Sequence, residues 1–158
     1  MTRETTLTYS AAKAKAENYC AFQERSQQEV RQKLYVWGLE YMDVENLLAE
    51  LINEGFINEE RFAIAYAGGR HRMKKWGKYK IKQGLKQKAV SEPLIRIALE
   101  GLDPEEYREN LLQLLIKKAG TLGEKDPLKR KMRLQNYALS KGYEQSLTIE
   151  LLNDNELH

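Results

Sequence analysis

Three short stretches restrict the architecture open to this chain. LYVWGL (34–39), LKQKAV (85–90) and ALSKGY (138–143) each close a helix-like segment on a small residue followed by a larger apolar one. Gly38, Ala89 and Gly142 therefore fall in register, as do Leu39, Val90 and Tyr143, at intervals of 51 and 53 residues. A small residue at that point permits the left-handed turn that ends many helices; Ala89 either adopts it against its Cβ or uses another turn. A period of this length is the mark of a repeated supersecondary unit whose small core is helped by stacking on its neighbour.

Between the turns the chain reads as helix throughout. Residues 11–23 are Ala-rich, with Ala12, Ala16, Tyr19 and Cys20 on one face. Ser26 with Glu29 forms a capping-box pattern ahead of Val30 and Leu34. Asp43 is expected to cap a helix burying Val44, Leu47, Leu48, Leu51 and Ile52, ended by Gly55. Asn58 opens a longer helix, apolar at Phe62, Tyr66 and Met73, and Gly77 separates it from the next, which carries Ile81 and Leu85. Ser91 with Pro93, Asp103-Pro104 and Asp126-Pro127 open three more, and a last helix covers about 144–152. No stretch alternates as a strand does. The fold class expected is all-α, an elongated array of tandem three-helix bundles. The limits expected are a flexible N-terminus at 1–10, repeats at 11–57, 58–101 and 102–152, and a frayed tail at 153–158. Gly68-Gly69 inside a helix costs about 2 kcal/mol relative to two alanines, so it marks a kink or close-packing point, or a hinge.

Charge is distributed unevenly. The net charge is only +3, yet residues 61–91 hold ten Lys or Arg and no acid, between flanks of mildly acidic balance. Such a layout points to an anionic partner, a nucleic acid or an acidic protein groove, more than to a merely solvated face. In the helix after Gly77, Ile81 and Leu85 lie about 40° apart and define the buried face. Lys78, Lys82 and Lys86, spaced by four, form a stripe on its flank, and like charges so spaced repel by roughly 0.2–0.5 kcal/mol per pair. The expectation is that a partner's anions compensate them. Arg70, Arg72, Lys74 and Lys75 extend the field from the preceding helix.

Trp76 and Tyr79 could stack on bases, though Trp76 fits better as a core residue capping the inter-helix corner, while Tyr79 is expected to be exposed. Lys129, Arg130, Lys131 and Arg133 make a second, weaker patch, either a contact or a solvated face. Arg61, after Glu59-Glu60, is expected to find an intrahelical partner.

Catalytic chemistry is not visible. The nearest approach to a phosphate-binding loop is Gly77-Lys78, with Tyr79 where Ser or Thr is needed and Arg72 where the earlier Gly should be. One Cys and two His make a Cys/His zinc site implausible, and no cofactor is expected. Cys20 has no partner for an internal disulfide, no apolar run is long enough for a membrane span, and the N-terminus lacks a signal-like apolar core. A cytoplasmic, non-enzymatic monomer is the expectation.

Residues 54–90, EGFINEERFAIAYAGGRHRMKKWGKYKIKQGLKQKAV, resemble the RecX family of recombination regulators. The likeness lies in Gly55-Phe56-Ile57, in Glu59-Glu60 before Arg61-Phe62-Ala63, and in Gly77 ahead of Ile81 and Leu85. ENYCAFQERSQQEVRQKL upstream is similar to the family's opening repeat, and the third repeat matches loosely. Departures are Asn58, Ala89-Val90 in place of Gly-Ile, and the Gly68-Gly69 pair. The resemblance implies tandem three-helix repeats that bind the filament of RecA recombinase on single-stranded DNA and bridge its protomers. It implies inhibition of ATP hydrolysis and strand exchange, within DNA repair and the SOS response, and no catalysis by the regulator itself. Other readings remain open: a stand-alone helical module binding single- or double-stranded DNA, or a helical scaffold for an unrelated partner.

Overall fold

A computed structural model describes residues 6–157. Among these residues the chain forms nine α-helices and no strand. They are α1 (Tyr9–Phe22), α2 (Gln27–Val36), α3 (Tyr41–Asn53), α4 (Glu59–Lys74), α5 (Lys78–Gln87), α6 (Glu92–Glu100), α7 (Pro104–Thr121), α8 (Pro127–Ser140) and α9 (Gln145–Asp154). Three separate cores form, one each among α1–α3, α4–α6 and α7–α9.

The repeat is legible in the buried side chains themselves. Val30 and Leu34 of α2 correspond to Ile81 and Leu85 of α5 and to Leu134 and Ala138 of α8, and all six are buried. Val44 and Leu47 of α3 correspond likewise to Ile95 and Ala98 of α6 and to Thr148 and Leu151 of α9. In the first helices the sets are Ala12, Ala16 and Cys20, then Ala63, Ala67 and His71, then Tyr107, Leu111 and Leu115. His71 thus occupies a core position filled by Cys20 and Leu115 in the other bundles.

The three in-register turns share one geometry. Gly38, Ala89 and Gly142 have φ of 92°, 61° and 93°, all left-handed. In each, the following residue's N–H reaches back to a helix carbonyl: Leu39 to Leu34, Val90 to Leu85 and Tyr143 to Ala138, all at 3.1 Å. The small residue's own N–H goes to Tyr35, Lys86 and Leu139, at 3.0, 3.0 and 2.9 Å. This is the Schellman arrangement, with its apolar contact supplied by the buried pairs at those ends. Gly55 and Glu156 end α3 and α9 in the same way. The left-handed conformation costs a non-glycine residue about 1–2 kcal/mol, so Ala89 carries strain that Gly38 and Gly142 avoid.

Caps explain most helix starts. Side chains of Thr8, Ser26, Asn58, Asp103 and Asp126 accept from first-turn N–H groups of α1, α2, α4, α7 and α8. Several expectations need correction. Glu40, not Asp43, precedes α3 and makes no side-chain cap; Asp43 sits in the first turn, where its charge favours the helix dipole. Ser91 precedes α6 but also makes no side-chain cap. Ile52 and Met73 are exposed, Met73 at 84%, since each lies off its helix's apolar stripe. The N-terminal segment is not loose over residues 7–10: α1 begins at Tyr9, and the Leu7 N–H donates to the Trp37 carbonyl at 3.1 Å. The C-terminal segment is tied as well, with Leu157 packed on the third core; residues 1–5 and His158 lie outside the described residues.

The bundles join in chain order. Between the first and second, Lys88 pairs with Glu29 at 3.0 Å, Arg61 pairs with Glu24, and the Gln27 N–H donates to Glu59 Oε1 at 3.3 Å. Arg61 Nη2 also donates to the Gly55 carbonyl at 3.0 Å, so its partners lie outside α4, contrary to the intrahelical expectation. The second and third bundles meet backbone to backbone. The Gly77 N–H donates to the Lys141 carbonyl at 2.7 Å and the Tyr79 N–H to the Gly142 carbonyl at 2.9 Å. Tyr107 Oη accepts from the Lys78 N–H at 3.0 Å. The C-terminus of α8 thereby supplies acceptors to the free N–H groups opening α5. A Cβ at Gly77 would lie 2.4 Å from the Gly142 carbonyl carbon.

Candidate functional site: a basic ridge on the second bundle

The cations of residues 61–91 gather where α4 ends and α5 begins. Lys75 ends α4 in a left-handed conformation, φ 58°, and folds the chain back at the Trp76–Gly77 corner. Trp76 packs half-buried against the second core. Three cations surround its ring, with Lys80 Nζ 4.9 Å, Lys74 Nζ 5.4 Å and the Arg70 guanidinium 5.5 Å from the centroid. The corner reading of Trp76 therefore prevails over a free stacking platform. Each such contact contributes about 0.5–1 kcal/mol at an exposed site, offsetting part of the mutual repulsion of the cations. Tyr79 is exposed, at 57%.

The remaining cations divide into two groups. Lys78 Nζ lies 5.0 Å from the Tyr107 ring centroid, and Lys75 Nζ donates to Asn110 Oδ1 at 3.2 Å. Among the described residues no carboxylate pairs with Arg70, Arg72, Lys74, Lys75, Lys78 or Lys80. Lys82 and Lys86 differ: Glu92, in the first turn of α6, approaches Lys82 at 3.8 Å and Lys86 at 3.2 Å. The hydrogen bond from Lys86 is the main cause holding the Glu92 carboxyl below its ordinary value. The expectation that a partner alone compensates the Lys78–Lys82–Lys86 stripe is corrected on this point. An exposed pair contributes only about 0–1 kcal/mol, so these lysines remain positive but attenuated. The uncompensated ridge lies further towards the α4–α5 corner, and Lys80 belongs to it. Its place four residues after Trp76 is the signal that could have identified it.

The second patch does not hold together. Arg130 turns inward and donates to the carbonyls of Glu124 (2.7 Å), Ala119 (2.8 Å) and Leu122 (3.2 Å), closing the end of α7. Arg133 pairs with Glu124 at 3.6 Å, and Lys131 Nζ donates to Asn153 Oδ1 at 3.1 Å. Lys129 alone stands outward without such a contact.

A buried polar chain beneath the ridge was not foreseen. His71 is 2% exposed; its Nδ1 lies 2.9 Å from the Trp76 carbonyl and its Nε2 2.8 Å from Asn110 Nδ2. In this arrangement Nδ1–H donates to the Trp76 carbonyl and Nε2 accepts from the Asn110 amide. Tyr107 stacks on the imidazole at 5.1 Å and donates to Glu144, while Tyr143 Oη donates to the Lys75 carbonyl at 2.8 Å. Burial, and for Tyr107 the Glu144 contact, raise both phenols well above the ordinary range. The chain fixes the corner that carries the cations to the third bundle. Within Gly68-Gly69, Gly68 is buried, with the Arg72 side chain nearest to where a Cβ would stand, and Gly69 is open. The close-packing glycine is Gly84, where a Cβ would meet Tyr66 Oη at 2.1 Å.

Three family descriptions cover the chain: RecX, first three-helix domain, over residues 12–51; second three-helix domain, over 58–99; third three-helix domain, over 105–152. The chain belongs to the RecX family. Among RecX relatives, Regulatory protein RecX of Clostridium acetobutylicum is 29% identical over 150 residues, covering 92% of this chain and 69% of that protein. Regulatory protein RecX of Amycolatopsis mediterranei is 27% identical over 146 residues, covering 92% and 83%. The chain spans about half, 52%, of the Bacillus mycoides protein of the same name. The crystal structure of RecX from Lactobacillus salivarius matches with a TM-score of 0.85 at 21% identity, covering 95% of this chain and 97% of that one. At that identity the match speaks for the fold. Among the described residues no His, Cys, Asp or Glu cluster could hold a metal ion, and no helix is long and apolar enough to cross a membrane.

Proposed function

We propose that the protein regulates homologous recombination by binding the RecA filament on single-stranded DNA and inhibiting its ATP hydrolysis and strand exchange, in the cytoplasm, as a monomer without catalysis of its own. The repeat units are 11–57, 58–101 and 102–152. The observation that carries the reading is the uncompensated ridge of Arg72, Lys74, Lys78 and Lys80, mounted on a rigid corner at the middle of a three-bundle array. A filament groove offers a repeating surface, which suits an array with a cationic centre and acidic ends. The named relatives are regulatory proteins, which supports the same class.

The test is recombinase ATPase on single-stranded DNA with increasing amounts of this protein. Lys74→Glu/Lys78→Glu/Lys80→Glu should raise the half-inhibitory concentration at least tenfold with helical content unchanged. Lys82→Glu/Lys86→Glu should have a smaller effect, because Glu92 already attenuates that pair. Unchanged inhibition by the triple variant refutes the ridge as the contact. Direct binding to naked single-stranded DNA through about five phosphates would instead show a log–log salt slope near −3.5. That slope, without recombinase inhibition, would favour the stand-alone DNA-binding module.

A further inference from the structure

A cleft of about 540 Å³ separates the first bundle from the second, bounded by Tyr19 and Arg25 on one side and Phe62, Tyr66, Gly69 and Arg70 on the other. Its two arginines are held alike. The Arg25 guanidinium lies 3.8 Å from the Tyr19 ring centroid, and that of Arg70 lies 4.7 Å from the Tyr66 centroid. Arg25 Nε donates to the Tyr19 carbonyl at 3.0 Å and Arg70 Nε is enclosed, so stacking leaves the terminal Nη edges for in-plane acceptors, the geometry suited to a carboxylate or a phosphate. Among the described residues neither arginine has a carboxylate partner. The cleft's own acids are engaged elsewhere, Glu29 with Lys88 at 3.0 Å and Glu24 with Arg61.

Hydrogen-bonding capacity is also left unused here. Arg70 Nε and Glu24 Oε2 are buried and have no partner, and both side chains border the cleft. Both atoms are enclosed by the protein, so an occupant is held by the outer edges of the guanidinium groups and not by these two. The interleaving of Glu24 and Glu29 with the arginines disfavours a continuous polyanion. Apolar surface is present too, in the exposed Met73 at the rim, whereas Phe62 belongs to the second core.

We propose that this cleft binds a peptide segment of a partner protein carrying a carboxylate beside an apolar side chain, with the terminal nitrogens of Arg25 and Arg70 taking the carboxylate. This deepens the filament reading and rests on it for the partner, though not for the peptide chemistry. Gly69 leaves the α4 wall open to the incoming chain, since a Cβ there would meet nothing within 4 Å.

The test is a titration of the ¹⁵N-labelled full chain with three probes: a short peptide alternating glutamate and leucine, its glutamine counterpart, and a short oligothymidylate. The glutamate peptide should shift the Gly69 and Arg70 amides saturably, and the glutamine peptide should not. Arg70→Gln should weaken binding about tenfold, with Arg70→Lys in between because charge survives but the planar fork does not. Met73→Glu, at a position 84% exposed, should weaken it through repulsion while leaving the core intact. The proposal is overturned if the two peptides bind alike, if Arg70→Gln and Met73→Glu both bind as the parent does, or if only the oligothymidylate reaches these amides. No recombinase is present, so absence of peptide binding by the parent chain with ATPase inhibition intact defeats the cleft and leaves the filament reading standing. Peptide binding without ATPase inhibition does the reverse.

Discussion

Replacing Gly77 by alanine would probe the joint between the second and third bundles directly. The φ of Gly77 is −80°, which any residue accepts, so the effect comes from space alone. Its new Cβ would lie 2.4 Å from the Gly142 carbonyl carbon and 2.5 Å from the Tyr143 nitrogen. Backbone cannot swing aside as a side chain can, so the bundles must part by about 1 Å to reach ordinary contact. That movement stretches the junction bonds, now 2.7, 2.9 and 3.0 Å, to lengths near 4 Å where they cease to be hydrogen bonds. Three bonds at about 1 kcal/mol each give a loss near 3 kcal/mol, on top of roughly 0.5–1 kcal/mol for exchanging glycine with alanine at the N-cap of α5. Gly69→Ala is the matched control: it meets nothing within 4 Å and should gain about 1 kcal/mol from helix propensity. Urea denaturation measures both, and hydrogen exchange at the Tyr79 amide reports the joint itself. A Gly77→Ala protein with parental stability and a protected Tyr79 amide would refute the account of this contact.

Ala89→Gly should stabilise the second bundle by about 1 kcal/mol in thermal unfolding, by relieving the left-handed strain; no gain would show the turn to be unstrained. Arg130→Ala should cost about 2 kcal/mol, because three carbonyls at the end of α7 lose their donor, whereas Lys129→Ala should be neutral. The phenols of Tyr107 and Tyr143 are raised in the folded state, so their stabilising effect is complete below the ordinary value near 10 and is lost as pH rises beyond it. Stability should therefore fall above pH 10 by up to about 1.4 kcal/mol per pH unit for each tyrosine. Tyr143→Phe should flatten that slope, and an unchanged slope would count against the burial of this phenol.

Much of the fold was legible because its repeat is written in the residues that face inward. The pairs Val30–Leu34 and Ile81–Leu85 stand four apart ahead of a small residue, and helical periodicity with one left-handed turn decides their fate. Contacts between units were not legible. The sequence marks Gly77 as a break between helices and Gly69 as lying inside one, but not that Gly77 abuts Gly142 while a Cβ at Gly69 would meet nothing, because that depends on which loop lands on which helix end. The site was half legible for the same reason. Composition located the cations, but Glu92 returns to Lys86 only because α6 folds back over α5, and Arg130 looks like a surface charge until the carbonyls of α7 are seen beneath it. His71 was hidden by its type, since a polar residue at a core position becomes intelligible only with Asn110 and the Trp76 carbonyl in view.

The two seams of the array are made of different material. One relies largely on carboxylates meeting ammonium and guanidinium groups near solvent, where dissolved ions compete within a Debye length of about 8 Å. The other interlocks peptide groups that ions barely influence. Added salt should therefore loosen the N-terminal seam more than the C-terminal one, where the basic centre is joined to the third bundle by backbone hydrogen bonds.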